Sequence, residues 1–288
     1  MQKSTLLHLR FPFSFFLLPV YLFALSISNS VDPIGASITF VVLHFFLYPA
    51  SNGYNSYFDK DEESIGGLKN PPTVTKELYY TSLALDFLAL AVGVFFISLE
   101  FMCLLLLYGV ASKAYSHPAV RIKKFPFLEW ITAFFFQGYF TFLMAYIGIN
   151  QVSLYETLDI HIQFPAILSS LLLGGSYPMT QIYQHNEDAR RGDNTISRIL
   201  GVLGTFHFTA VFFLIANSGF VYYFLKWFEI SDLVLFQTAL TPSLVYFLLW
   251  YFKVRKNTEF ANYQSTMRLN ILSSALLNLF FLMQFLGN

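Results

Sequence analysis

Long apolar runs separated by short polar segments make up the chain from residue 12 to its end. Runs of about 20 apolar residues cross a bilayer as helices, and shorter ones do so where function requires it. The pattern predicts nine transmembrane helices, at residues 12–28, 34–52, 78–98, 101–116, 127–148, 164–183, 198–220, 233–252 and 267–286. We therefore expect an all-α, polytopic membrane protein with a single integral membrane domain over residues 1–288.

The first apolar run has a second interpretation. Lys3 and Arg10 precede it, as basic residues precede the core of a cleaved signal peptide. No clear A-x-A cleavage site follows, and Pro12 and Pro19 fit the entry of a retained helix better. We expect this run to be a membrane span.

The composition supports a membrane protein. The chain is 56% hydrophobic and 12% charged, whereas soluble domains carry about a quarter charged residues. Its formal net charge is zero, which argues against a nucleic-acid partner. The single cysteine, Cys103, lies in an apolar run and excludes a disulfide framework or a cysteine-based metal site.

Basic residues are distributed unevenly between the two sides that this map predicts. With a cytoplasmic N-terminus, sixteen of the seventeen Lys and Arg residues fall on the cytoplasmic side, and only Lys226 falls outside. Cytoplasmic loops are enriched in Lys and Arg, so the asymmetry predicts this orientation. The C-terminus, residues 284–288, is then extracytoplasmic.

The stretch from Asn52 to Glu63 places a group of carboxylates at the inner end of the second run. Asn55, Asp59 and Glu63 recur every four residues, so a helix would stack them on one face. Oxygen ligands without Cys or His suit a hard cation such as Mg²⁺, which often lies between carboxylates and substrate phosphates. The alternative is a solvated acidic loop that caps a membrane helix.

A second acidic helix end follows the sixth run, within residues 180–195. Gln184 and Asp188 lie four residues apart, again on one helical face, and Glu187 is adjacent. Two acidic helix ends on one side of the membrane could jointly hold Mg²⁺ ions that bridge a diphosphate.

A tyrosine and three basic residues close the fourth run on the same side. Tyr115 could donate a hydrogen bond to a phosphate oxygen, and Arg121, Lys123 and Lys124 could supply compensating positive charge. The alternative is an ordinary basic loop on the cytoplasmic side.

Taken together, residues 55–63, 115–124 and 184–195 resemble the first acidic motif, the tyrosine-to-lysine segment and the second acidic motif of the UbiA-type intramembrane prenyltransferases. The nine predicted spans, with both acidic motifs after even-numbered spans, also resemble the architecture of this family. The resemblance therefore extends over essentially the whole chain. It implies nine helices bundled around a central cavity that opens sideways to lipid. Members of this family bind an isoprenyl diphosphate through Mg²⁺, form an allylic carbocation and attach the prenyl group to an aromatic or other lipophilic acceptor.

The resemblance also assigns roles to individual residues. The metal ligands it implies are Asn55, Asp59, Glu63, Gln184 and Asp188. The implied substrate-binding residues are Asn55, Tyr115, Arg121, Lys123, Lys124 and Arg191. The implied catalytic residues are Asp59, Tyr115, Lys123 and Asp188.

This sequence departs from the family pattern at two positions. Glu63 replaces the usual Asp and should still bind metal, whereas Gln184 replaces the usual leading Asp of the second motif. A neutral amide adds no charge, so one metal site is weakened or ligation moves to Glu187 or Gln181. The change at Gln184 puts ordinary turnover in question and suggests an atypical branch.

Two further functions remain open at this point. A terpene cyclase of the same family would capture the cation within its own prenyl chain. A non-catalytic lipid-binding or transport protein would be consistent with Gln184, but the chain shows no internal repeat and its charges cluster at helix ends. Asp86, inside the third run, should face the bundle interior or the cavity, where it orients an acceptor or packs against a polar partner.

Overall fold

The computed structural model describes residues 1–287, and within that range it contains α-helices and no β-strand. The predicted all-α fold is therefore confirmed. The helices are α1 (Lys3–Leu9), α2 (Leu18–Ser26), α3 (Pro33–Val41), α4 (Tyr48–Asp59), α5 (Lys76–Phe96), α6 (Leu99–Ser116), α7 (Pro126–Ala133), α8 (Thr141–Asn150), α9 (Ile160–Ser176), α10 (His185–Arg191), α11 (Ile196–Trp227), α12 (Ile230–Lys256) and α13 (Tyr263–Gly287).

Two pairs of these helices form continuous spans. A π-helical turn at Val42–Leu47 joins α3 to α4, and another at Phe134–Phe140 joins α7 to α8. The joined spans contain 27 and 25 residues. Such turns fit an extra residue into a helix without ending it, and they often lie near functional sites.

The number of spans differs from the prediction. Within residues 1–287, seven helices are long and apolar enough to cross a membrane, or eight if the bent pair Lys3–Phe16 and Leu18–Ser26 forms one span. The remaining predicted run corresponds to α9, whose 17 residues cover about 26 Å, slightly less than a hydrocarbon core. The predicted count of nine is therefore not confirmed, although each predicted run contains helix.

Aromatic side chains fill the interior of the bundle. Phe23 of α2 stacks on Phe281 of α13 with ring centroids 4.4 Å apart, and Phe220 of α11 lies 5.5 Å from Phe23. Large apolar side chains also cover the outer surface, where Phe95, for example, is 82% exposed. An apolar exterior of this kind is compatible with contact to lipid tails.

The ends of α4 and α10 position the acidic residues. α4 ends at Asp59 because Lys60 adopts a left-handed conformation, with φ of 51°. The expectation that one helix stacks Asn55, Asp59 and Glu63 is therefore wrong for Glu63, which lies beyond the helix end. α10 ends in the same way at Gly192, with φ of 72°, so that the chain turns back at Asp193.

Candidate active site

A central cavity of about 710 Å³ lies among α2, α4, α6, α7, α9 and α11 to α13. This volume is typical of a small-molecule site. Charged residues line the end of the cavity near the loops after α4, α6 and α10, among them Asp59, Lys123 and Asp188. Phe23 and Phe281 line the part of the cavity that lies away from these charged residues. The cavity therefore has a charged mouth and an aromatic interior.

Lys123 connects the two acidic motifs at this mouth. Its Nζ lies 2.6 Å from Asp59 Oδ1 and 3.2 Å from Asp193 Oδ2. Arg121 binds the same Asp193 through two hydrogen bonds of 2.9 Å each. Lys123 is only 8% exposed and Asp193 is fully buried. Buried charges of this kind persist when they are paired, as they are here.

The pKa values of these paired groups favour their charged forms. Burial opposes the charge on Lys123, but Asp59 and Asp193 outweigh it and raise the pKa of Lys123. Burial likewise opposes the charge on Asp193, yet hydrogen bonds and positive charge from Arg121 and Lys123 lower the pKa of Asp193. The positive charges of Arg121 and Lys123 at the mouth are thus balanced mainly by Asp59 and Asp193.

Two other carboxylates at the mouth have too little compensating charge. Burial raises the pKa of Asp188 to about 7, although Lys123 and the hydroxyl of Thr195, which donates to Asp188 Oδ2 over 3.2 Å, oppose the shift. Burial and the neighbouring Asp59 raise the pKa of Asp61 to about 6, despite its ion pair with Arg191. An added cation would stabilise both carboxylates in their ionised form.

The structure brings six of the predicted site residues to the cavity wall. Gln184 precedes α10 and donates from Nε2 to the carbonyl oxygen of Ser64 over 3.2 Å. The six residues are Asn55, Asp59, Tyr115, Lys123, Gln184 and Asp188.

Four predicted residues lie elsewhere. Arg121 lies behind Asp193, Lys124 is exposed, and the half-buried Glu63 pairs with Arg190. Arg191 binds the loop after α4 through Asp61 and the carbonyl oxygen of Lys60, over 2.7 and 2.8 Å.

Glu187, considered above as an alternative metal ligand, also fixes this loop. It accepts hydrogen bonds from the backbone N–H groups of Glu62 and Glu63, over 2.9 and 3.2 Å, and from Arg191 over 2.7 Å. The residue is buried, but it does not line the cavity. Its contacts join the two acidic motifs outside the mouth.

Several residues in the site were missed at the level of sequence. Asp61 and Asp193 line the mouth although no helical spacing relates them to the predicted ligands. Arg10, considered only for topology, reaches the carbonyl oxygens of Asn52 and Gly66 over 3.4 and 3.2 Å. A signal was available for Glu129, since it is a carboxylate within an apolar run.

Glu129 is 1% exposed and lies in the cavity wall. Its Oε1 accepts hydrogen bonds from the hydroxyls of Tyr115, over 2.9 Å, and Tyr177, over 3.0 Å. Gln181, the other alternative metal ligand, donates from Nε2 to the same oxygen. Gln181 therefore supports Glu129 in this structure.

Asp86 lies away from the central cavity. It forms an ion pair with Lys113 between α5 and α6, beside a second cavity of about 430 Å³. Of the two roles considered for Asp86, the structure shows packing against a polar partner.

The sequence model of the UbiA prenyltransferase family matches residues 16–272, which is most of the chain. A comparison with curated proteins gives no match.

Solved structures with a similar fold include a UbiA homolog from Archaeoglobus fulgidus in two ligand complexes. The complex with DMAPP and Mg²⁺ has a TM-score of 0.69 at 18% identity, over 99% of this chain and 100% of that chain. The complex with GPP and Mg²⁺ has a TM-score of 0.68 at 19% identity, over 98% and 99%. A structure of digeranylgeranylglyceryl phosphate synthase in membranes has a TM-score of 0.60 at 16% identity, over 99% and 97%.

At these identities the solved structures show a shared fold, and the family match carries the assignment. It confirms the resemblance inferred from the motifs, together with the predicted class of enzyme, a prenyltransferase of the membrane. The chain belongs to the UbiA prenyltransferase family.

Proposed function

We propose that this protein transfers an isoprenyl group from a prenyl diphosphate to a lipophilic acceptor inside the membrane, with Mg²⁺ as cofactor. One observation carries the proposal: carboxylates of both acidic motifs converge, with Lys123 between them, at the mouth of a cavity whose interior is aromatic. A diphosphate with its metal suits the mouth, and a hydrocarbon chain suits the interior.

The donor set at the mouth fits Mg²⁺ when a diphosphate shares the ion. Across residues 1–287, no group of three or more Asp, Glu, His or Cys side chains forms a metal cage. Mg²⁺ in enzymes is commonly held by one or two carboxylates together with substrate phosphates and water. We assign its protein ligands to Asn55, Asp59, Gln184 and Asp188. Glu63 would have to leave Arg190 to join them.

The remaining residues of the site bind the substrate and exclude water. Bound Mg²⁺ would neutralise charge on the leaving diphosphate. Lys123 would exchange its carboxylate partners for diphosphate oxygens and stabilise the same charge. Tyr48, Tyr108 and Phe136 line the interior, where they would enclose the prenyl chain and shield its cation from hydrolysis.

We further propose that residues 1–288 form one membrane domain with the mouth of the cavity facing the cytoplasm. The single family match over residues 16–272 supports one domain. The excess of Lys and Arg in the loops that surround the mouth supports the orientation.

Product analysis tests the proposed reaction. Purified protein would be incubated with Mg²⁺, a series of prenyl diphosphates and a panel of phenols, quinols and lipid alcohols. We expect a prenylated acceptor together with free diphosphate. The Asp59→Asn and Asp188→Asn variants should remain folded but lose activity at least about a hundredfold. Asp232→Asn, at the start of α12 on the other side of the membrane, is the matched control and should keep wild-type rates.

The same experiment distinguishes the alternatives. A cyclic hydrocarbon formed from the prenyl diphosphate alone would indicate a terpene cyclase. The absence of diphosphate release with every substrate would contradict enzymatic function and favour a lipid-binding protein.

A further inference from the structure

Glu129 is a buried carboxylate that the proposed reaction has not yet used. It lies in α7, within the membrane span Pro126–Asn150. A carboxylate at such a position is costly in a membrane protein and usually has a function. Its hydrogen-bond donors come from α6, from the 3₁₀ turn that follows α9 and from the first residue of α11, so separate elements converge on it.

The contacts of Glu129 form a connected path to the cavity. The Tyr115 hydroxyl donates to Glu129 Oε1 over 2.9 Å and also contacts the Tyr177 hydroxyl. All three side chains line the cavity. Hydrogen bonds from the two phenols hold the carboxylate in one orientation. A proton released in the cavity could reach Glu129 through a single hydroxyl group.

Prenylation of a neutral acceptor must release such a proton. The bond between C1 of the prenyl chain and the diphosphate oxygen breaks, and its electron pair leaves with the diphosphate. An electron pair of the acceptor then forms the new bond to C1, so the acceptor has to lose a hydrogen as a proton. In a cavity that excludes water, the proton passes either to the leaving diphosphate or to a side chain, and contacts with Mg²⁺ and Lys123 would lower the basicity of the diphosphate oxygens.

We propose that Glu129 accepts this proton through Tyr115. The Tyr115 oxygen takes the proton from the acceptor while its own proton passes to Glu129 Oε1, so that Tyr115 is neutral before and after the step. The inference rests on the proposed function and narrows its acceptor class: the acceptor is a neutral nucleophile with an O–H group or an aromatic C–H group to lose.

Two variants test the proton path with geranyl diphosphate, Mg²⁺ and the phenol or quinol of the panel that gives the most product. Glu129→Gln keeps the shape of the side chain but removes the proton acceptor. Tyr115→Phe removes the relay hydroxyl, while Glu129 keeps its hydrogen bonds with Tyr177 and Gln181. The proton path can therefore be tested with Tyr115→Phe even if Glu129→Gln does not fold. The measured quantity is the amount of prenylated acceptor formed per diphosphate released.

We expect both variants to lower prenylated product about a hundredfold, the usual contribution of a general base. Diphosphate release should fall less than about tenfold, because ionisation of the prenyl diphosphate does not require the base. The uncaptured cation should instead react with water that enters from the charged mouth, so geraniol should replace the prenylated product. A purely structural role for Glu129 would lower both quantities together and leave their ratio unchanged, and that result would overturn the inference.

Glu187→Gln is the matched control, because it makes the same change of charge at another buried carboxylate that does not line the cavity. Its turnover could fall, but product per diphosphate should stay at the wild-type value. A similar loss of coupling in this variant would also contradict the specific role of Glu129. Failure of the wild-type protein to release diphosphate from any prenyl diphosphate of the series would instead refute the proposed function, and this inference with it.

Discussion

Lys123 occupies the position between the two acidic motifs in this structure, 2.6 Å from Asp59 and 3.2 Å from Asp193. A single ammonium group thus balances charge from both motifs, while Asp188 and Asp61 have pKa values of about 7 and about 6 because their burial is not fully compensated. An additional positive charge at the mouth would therefore stabilise the ionised forms of these two carboxylates. A metal ion with a diphosphate would supply that charge and release Lys123 to bind the diphosphate.

Gln184 gives a direct test of metal ligation at the second motif. Gln184→Asp adds one formal negative charge to the cavity wall, and hard cations respond to the charge of their ligands. The variant should therefore lower the Mg²⁺ concentration needed for half-maximal diphosphate release, even though it loses the hydrogen bond to Ser64. Asn194→Asp, an exposed residue of the same segment, is the control for a general change of charge. An unchanged midpoint in Gln184→Asp would remove Gln184 from the metal site.

The carboxylate and amide residues that sequence analysis found in the site are those that helical spacing relates to one another. Asn55 and Asp59 lie one turn apart in α4, and both line the cavity. Asp61 and Asp193 escaped this reasoning because left-handed residues, Lys60 and Gly192, turn the chain just before them. Local reversals of this kind depend on tertiary contacts that a periodic pattern does not contain.

At the scale of elements, Glu187 joins α10 to the loop after α4. Glu187→Ala should leave two loop N–H groups without their acceptor, which costs about 1–3 kcal/mol for buried groups. Amide hydrogen exchange at Glu62 and Glu63 should accelerate about tenfold or more. Arg190→Ala removes the exposed ion pair with Glu63, worth about 1 kcal/mol or less, and should change the exchange little. Equal protection in Glu187→Ala and the wild type would show that other contacts hold the loop.

The ion pair between Asp86 and Lys113 should stabilise the packing of α5 against α6. Asp86→Leu leaves the Lys113 ammonium without its partner, and because both side chains are about one-fifth exposed, the loss should stay below the roughly 3–5 kcal/mol of a fully buried pair. The double variant Asp86→Leu/Lys113→Met removes both charges and should recover most of that loss. The free energy of unfolding, measured in detergent micelles for both single variants and the double variant, checks this. Additive losses would mean that the two charges do not stabilise each other.

The hydrophobic runs predicted the positions of the helices well, because a run of about 20 apolar residues in lipid must form a helix for its backbone N–H and C=O groups to be hydrogen-bonded. Their details did not follow. The π-helical turns at Val42–Leu47 and Phe134–Phe140 have the same apolar composition as the helices around them. The length of α9 was overestimated because Tyr177–Gln181 continues the run as a 3₁₀ turn.

At the scale of the whole molecule, the distribution of basic residues predicts the orientation in the membrane. The C-terminal residue, Asn288, lies outside the described residues, and α13 ends just before it at Gly287. A reporter fused after Asn288 should read as extracytoplasmic, and a reporter fused to a chain truncated after Lys256 should read as cytoplasmic. A cytoplasmic signal from the full-length fusion would mean that the number of spans is even.

Metal-dependent binding of a prenyl diphosphate to the charged mouth tests the proposed function most directly. Geranyl thiolodiphosphate, in which sulfur replaces the bridging oxygen and slows ionisation, can be titrated calorimetrically into the purified protein with Mg²⁺ and with EDTA. We predict saturable binding with Mg²⁺ that weakens at least about tenfold in EDTA and in both Asp59→Asn and Asp188→Asn. Binding of equal strength with and without Mg²⁺, or unchanged in both variants, would contradict a diphosphate site built from the two acidic motifs.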